Sequence, residues 1–226
     1  MHGHRREGLA RALDLRHHSR MNDIPANTAL ERLKEGNLRF IKARAEGRMV
    51  TPLHPLDQPL STQRPFAIVI GCSDSRVPVE IVFDQGLGDL FVVRVAGNVV
   101  MPSQLGSVEF AAEQFGTRLV VVLGHSGCGA IKATLGEIAS PSDGGSPHLS
   151  ALVSRIRPGI APLLSAEDGL DGEALVDSAV DANVRAMTRS LSEESDILQD
   201  LATNDGLEIV GATYDLATSR VRFLDA

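Results

Sequence analysis

The strongest constraint on this chain is a set of short, almost uninterrupted apolar runs at 66–70, 90–95 and 119–123, rich in Val and Ile and each ended by a turn or a change of pattern. Runs that do not alternate with polar residues must be covered on both faces, which predicts buried parallel strands. A fourth run, 207–212, has the same character. Between the second and third runs, Ser103 can cap a helix in which Leu105, Val108, Ala112 and Phe115 recur at helical spacing. A further helix is predicted from about Gly129 to Ala139. Within 173–201, the positions Val176, Val180, Val184, Met187 and Leu191 form a helical stripe, and Met187 is read as core packing. Near the start, Thr28-Ala29-Leu30-Glu31 has the spacing of a capping box, followed by an apolar face of Leu30, Leu33, Phe40 and Ile41 that Gly36 weakens. The surroundings of Tyr214 and Val221 suit a closing hairpin. Strands alternating with helices predict an α/β fold, a central, mostly parallel sheet flanked by helices.

A chain of 226 residues with 43% hydrophobic content can bury one sizeable core, so a single domain is expected over 22–226. Residues 1–21 carry five arginines against two acids and no sustained apolar face; they read as a disordered basic extension, with His2, His4, His17 and His18 solvated. The proline-rich 51–65 and the Ser/Pro/Gly-rich 140–147, with Gly144-Gly145 at its centre, read as loops. No apolar run approaches the roughly 20 residues needed to cross a bilayer, and nothing near the start resembles a signal peptide. The expectation is a soluble, cytoplasmic protein without a membrane partner. A formal charge of −7 argues against a nucleic-acid partner and leaves small-molecule chemistry.

The chain has only two cysteines, Cys72 and Cys128, too few for a disulfide framework. Cys72 falls just past the first predicted strand, and His125 and Cys128 just past the third, so a parallel sheet delivers all three to its carboxyl edge, where ligands collect. Gly124 and Gly129 flank His125-Ser126-Gly127-Cys128 and permit tight backbone paths. Two thiols and one imidazole suit zinc, and three protein ligands leave the fourth position open, as in catalytic sites. Zinc brings the pKa of a water it holds toward neutrality. Cys72-Ser73-Asp74-Ser75-Arg76 places a carboxylate and a guanidinium beside the first ligand. Asp74 could accept that water's hydrogen bond or occupy the fourth position itself, and a bidentate pair with Arg76 would hold it off the metal.

Cys72-Ser73-Asp74-Ser75-Arg76-Val77 and Gly124-His125-Ser126-Gly127-Cys128-Gly129 resemble the two zinc motifs of the beta-class carbonic anhydrases. The similarity runs from about Thr28 to Leu224 and includes Phe91-Val92-Val93-Arg94 and the Asn98 region. It implies one zinc ion per subunit held by Cys72, His125 and Cys128, with Asp74 and Arg76 as the adjacent dyad. The implied reaction is reversible hydration of carbon dioxide to bicarbonate and a proton through a zinc-bound hydroxide, in a homodimer or dimer of dimers with an N-terminal helical arm that embraces the partner.

Gln63 matches a glutamine that in plant-like members reaches a neighbouring active site and hydrogen-bonds the substrate. Phe91 and Phe110 are expected to line a small apolar substrate pocket, Phe110 standing where plant-like members have a tyrosine. Val69 replaces the tryptophan of an inhibitory bicarbonate site found in one bacterial subgroup, although Arg94 matches that site's arginine. Three other readings use the same residues: hydrolysis of carbonyl sulfide or carbon disulfide, a non-catalytic zinc module with Asp74 on the metal, and thiol catalysis by Cys128 with His125. His54 and His148 lie in predicted loops, so no proton shuttle is assigned.

Overall fold

The computed structural model describes residues 24–48, 63–141, 146–165 and 171–225. The extension 1–21, His54, most of the proline-rich stretch and Gly144-Gly145 lie outside the described residues. Five strands form one sheet: β1 (Ala67–Gly71), β2 (Leu90–Arg94), β3 (Leu119–His125), β4 (Glu208–Tyr214) and β5 (Val221–Phe223). Their order is β2-β1-β3-β4-β5. The first four are parallel and β5 is antiparallel to β4, with Tyr214 opposite Val221. The hairpin and the mostly parallel sheet therefore stand as the sequence predicts.

Side chains alternate across the sheet, and helices cover both faces. Ile68, Ile70, Val120 and Val122 point into the larger core. It is covered by α3 (Pro102–Gln114), α4 (Gly129–Ala139), α5 (Pro147–Ser165), α6 (Gly172–Glu193) and α7 (Asp196–Asn204). Ala67, Val69, Val121 and Leu123 point the other way, against α1 (Ala26–Ala45) and the single turn α2 (Val79–Val82). The N-terminal helix α1 thus lies across its own sheet, through the fully buried Ala29 and Leu33.

Helix α1 starts three residues earlier than the capping box suggests. Pro25, extended at φ −61° and ψ 150°, offers its carbonyl to Ala29 N–H and so places Thr28 inside the first turn. Ser103 does not cap α3 either: Pro102, preset for a first helical turn, begins that helix after Met101, and Ser103 bonds Gln104 instead. The stripe over 173–201 is broken into α6 and α7 at Ser195, whose hydroxyl donates to Glu109 at 2.6 Å and accepts from Leu198 N–H at 3.1 Å, a true N-cap. Helix α5 was not legible, because Pro158 and Pro162 disguise it. Both prolines face solvent, where carbonyls that lose a helical partner can bond water, while Ile156 and Ile160 anchor the buried side.

Gly36 is a packing requirement rather than a weakness. A Cβ there would lie 1.8 Å from the carbonyl oxygen of Phe83, so α1 and the α2 turn meet backbone to backbone. Gly36→Ala is expected to destabilise the protein by about 3 kcal/mol or more, since backbone must move to admit the methyl group. Urea unfolding measures this, and an unchanged midpoint would mean that the helix does not approach so closely.

Candidate metal centre

Strand order 2-1-3-4-5 reverses direction between β1 and β3, and the crevice at such a reversal is where open α/β sheets collect ligands. Gly71 pairs with Leu123, so the residues that follow β1 meet those that end β3. Cys72, His125 and Cys128 converge there: their ligand atoms all lie within 4.8 Å of one another, and all three residues are buried.

Each ligand is held by its own backbone setting. His125 closes β3, and its Nδ1 lies 3.0 Å from the Ser126 carbonyl oxygen. A carbonyl can only accept, so Nδ1 carries the hydrogen and Nε2 presents its lone pair. That Nε2 is buried and has no hydrogen-bond partner among the described residues. Cys128 precedes the first turn of α4. Cys72 Sγ accepts from Gly97 N–H at 3.4 Å. Gly97 sits in a 3-10 turn, Ala96–Asn98, at φ +68°, which an L side chain rarely adopts.

The two thiols influence each other's ionisation in opposite directions. The Cys128 side chain is the largest influence drawing Cys72 down to about 4; burial opposes it, while the N–H groups of Asp74 and Gly97 assist. The same contact with Cys72, together with burial, pushes Cys128 above the ordinary thiol range. A divalent cation would meet both sulfurs as thiolates together with the Nε2 lone pair, which is the donor set zinc prefers. The residues therefore fit a metal ion.

The Asp74 carboxylate is paired with Arg76. Arg76 grips it in bidentate fashion, Nε to Oδ1 at 2.9 Å and Nη2 to Oδ2 at 2.7 Å, and Arg76 N–H adds a third bond to Oδ1 at 2.9 Å. The Arg76 guanidinium leads the influences that hold the Asp74 carboxyl well below the usual carboxylate range, against the opposing effect of burial. Asp74 Oδ2 nevertheless stays 3.9 Å from His125 Nε2, at the edge of the cluster. Of the two fates open to Asp74, the structure displays the pairing with Arg76.

Arg94, which the motifs connect only with an inhibitory site, braces the ligand loop. Its Nε donates to the Cys72 carbonyl at 3.1 Å and its Nη2 to the Asp74 carbonyl at 2.6 Å. Val69 is fully buried within β1. Neither the Arg94 brace nor the Gly97 N–H donor was read from the sequence; the one signal was the glycine of Ala96-Gly97-Asn98 directly after a strand.

The remaining predicted site residues are not brought to this cluster. Gln63 is exposed and precedes β1, so the whole strand, roughly 17 Å, separates it from the metal end of its own chain. Phe91 pairs with Ile68, four positions before Cys72. It packs with Phe110 and Phe115, ring centroids 5.8–6.4 Å apart, and Phe110 is 44% exposed. His148 is exposed on α5.

A family model described as carbonic anhydrase matches residues 67–221. The chain is 39% identical over 202 residues to carbonic anhydrase 2 of Mycobacterium tuberculosis, covering 87% of this chain and 92% of that protein. It is 42% identical over 200 residues to a carbonic anhydrase of Mycolicibacterium smegmatis, covering 85% and 90%. Among solved structures, a beta-carbonic anhydrase of Aspergillus fumigatus superposes with a TM-score of 0.68 at 26% identity, over 88% of this chain and 90% of that one. One of two tetrameric beta-carbonic anhydrases of Sordaria macrospora gives 0.66 at 26% identity, over 88% and 98%. With a doubly covered parallel sheet, two cysteines and a histidine gathered at its switch point, and relatives that align over nearly the whole described chain, this protein belongs to the carbonic anhydrase family, in its beta class.

Proposed function

We propose that the chain catalyses the reversible hydration of carbon dioxide to bicarbonate and a proton at one zinc ion held by Cys72, His125 and Cys128. The observation that carries this reading is the convergence of the Cys72 and Cys128 thiols on a buried His125 Nε2 that has no hydrogen-bond partner among the described residues, all three ligand atoms lying within 4.8 Å of one another. When bound, zinc supplies a Lewis acid that makes water nucleophilic near neutral pH and stabilises developing negative charge on oxygen.

The chain supplies the remainder. Asp74, held ionised by Arg76, is the acceptor: Oδ2, the oxygen 3.9 Å from His125 Nε2, takes a hydrogen bond from the reacting water and orients it. Arg76 keeps that carboxylate from becoming a fourth ligand, which argues against a non-catalytic zinc module. Arg94 fixes the Cys72–Asp74 backbone and so keeps the dyad in register with the thiolate. Thiol catalysis by Cys128 with His125 is disfavoured because it leaves Cys72, gathered into the same cluster, without a role.

Gln63, Phe91 and Phe110 complete the proposed substrate environment. Since Gln63 stands at the opposite end of β1 from its own Cys72, it can touch substrate only across an interface, which supports a homodimer or a dimer of dimers. No helix among the described residues is long and apolar enough to cross a membrane. Two thiols this close would be at risk of oxidation to a disulfide outside a reducing compartment, which supports a cytoplasmic setting.

Stopped-flow hydration of carbon dioxide by metal-quantified protein tests the proposal. Turnover that scales with zinc content is expected, and carbonyl sulfide in the same assay should be the poorer substrate. Fully zinc-loaded protein that hydrates no faster than buffer would refute it.

A further inference from the structure

Helix α6 carries one amide within an otherwise apolar buried stripe. Asn183 is fully buried, next to Val184 and one turn from Val180 and Met187. Its Nδ2 donates to the Gly97 carbonyl at 3.0 Å, while its Oδ1 has no partner among the described residues. Packing alone favours leucine at such a position, because a half-satisfied buried amide is costly. The one return visible for that cost is the bond to Gly97.

Gly97 is the residue whose N–H donates to Cys72 Sγ at 3.4 Å. Its surroundings leave no room for a side chain: a Cβ would lie 2.9 Å from Ile156 Cδ1 and 3.0 Å from Ala130 Cβ. One turn along α6, Met187 Sδ accepts from Val100 N–H at 3.2 Å, so the same helical face grips this segment at two points. Met187 therefore does more than fill the core. The helix also presses on β3 at the position before His125, where Val184 and Val180 lie within 3 Å of where a Gly124 Cβ would be. One helix thus supports the backbone behind two of the three ligands.

We propose that Asn183 is a positioning residue for the metal centre: its amide fixes the Gly97 peptide so that Gly97 N–H stays on Cys72 Sγ and sets the orientation of that thiolate. The inference rests on the reading of Cys72 as a ligand. Outer partners of this kind restrict a ligand's rotation and adjust the electron density on sulfur, and their loss commonly weakens metal binding by about 10- to 100-fold.

The test uses the full-length chain and compares Asn183→Leu, which removes the donor at similar volume, with Leu191→Ala. Leu191 is equally buried on α6 but lies farther along the helix, so its truncation weakens packing without touching Gly97. Zinc affinity is measured by competition with a chromophoric chelator, the thiolate-to-cobalt charge-transfer band by absorption of the cobalt-substituted protein, and stability by thermal unfolding. Asn183→Leu should lose about 10- to 100-fold in zinc affinity and shift the charge-transfer band, while Leu191→Ala lowers the unfolding temperature and leaves affinity and band in place. Should Asn183→Leu not fold, the smaller Asn183→Ser serves in the same comparison. A folded Asn183 variant with unchanged affinity and band would overturn the proposal, as would an equal affinity loss in Leu191→Ala. If the wild-type protein itself shows no thiolate-to-cobalt band, the ligand assignment fails and this role with it; a normal wild-type band beside silent Asn183 variants removes only the role of Asn183.

Discussion

Cys72→Ser is expected to leave the chain without stoichiometric zinc and with carbon dioxide hydration at the uncatalysed rate. The substitution changes one atom, yet that atom is the acceptor of Gly97 N–H and a thiol sulfur drawn down to about 4 chiefly by its contact with Cys128. A serine hydroxyl in the same place stays protonated at any ordinary pH and is a harder donor than zinc favours in such a set. His125 and Cys128 would remain, but two ligands give too little affinity to hold the ion through dialysis. Metal analysis and stopped-flow hydration on the same sample check this, with circular dichroism to confirm the fold. Full metal and full turnover would remove Cys72 from the ligand set.

Asp74→Ala is expected to separate the two properties that Cys72→Ser loses together. The three ligands are untouched, so zinc should remain near one per chain, while hydration should fall by about 10²- to 10⁴-fold through loss of the positioned acceptor. The sign of the pH dependence follows from the pairing with Arg76. A carboxyl whose folded pKa is depressed is ionised above it, and the stability gained from the pair is present above the unfolded carboxyl value and lost only as pH falls through the folded one. Asp74 is therefore ionised across about pH 6 to 9, and the deficit of Asp74→Ala should be the same throughout that range. Undiminished hydration in a zinc-loaded Asp74→Ala protein would reduce the dyad to a structural ion pair.

The sheet was legible because its strands are covered on both faces, which leaves apolar runs that admit few other readings. The parallel order of the strands brings Cys72, just past β1, beside His125, the last residue of β3, so the three-residue cluster was legible from the sequence. What escaped was governed by contacts rather than pattern. Pro158 and Pro162 obscure α5 because nothing local shows that they will face solvent. Ser195 interrupts a continuous stripe because Glu109, 86 residues earlier in the chain, engages its hydroxyl. Thr28 and Ser103 have the chemistry of caps but lose those positions to nearby prolines. Gly97 and Asn183 meet across a similar span, and a lone asparagine in an apolar stripe carries no local sign of what it touches. Gln63 and Phe110 were read by motif, and their distance from the home cluster follows only from the direction of β1 and β2.

Cys72 follows directly on the last rung of the β1–β3 ladder, Gly71 opposite Leu123, with Val95 N–H returning to the Gly71 carbonyl, and His125 lies two residues beyond that rung on β3. Drawing these two donors apart would mean tearing the ladder itself. The spacing between the two side chains is therefore set by the backbone pairing of β1 with β3. In small zinc-nucleated modules the ion organises the polypeptide, whereas here a sheet with a core on each face sets where the three side chains meet.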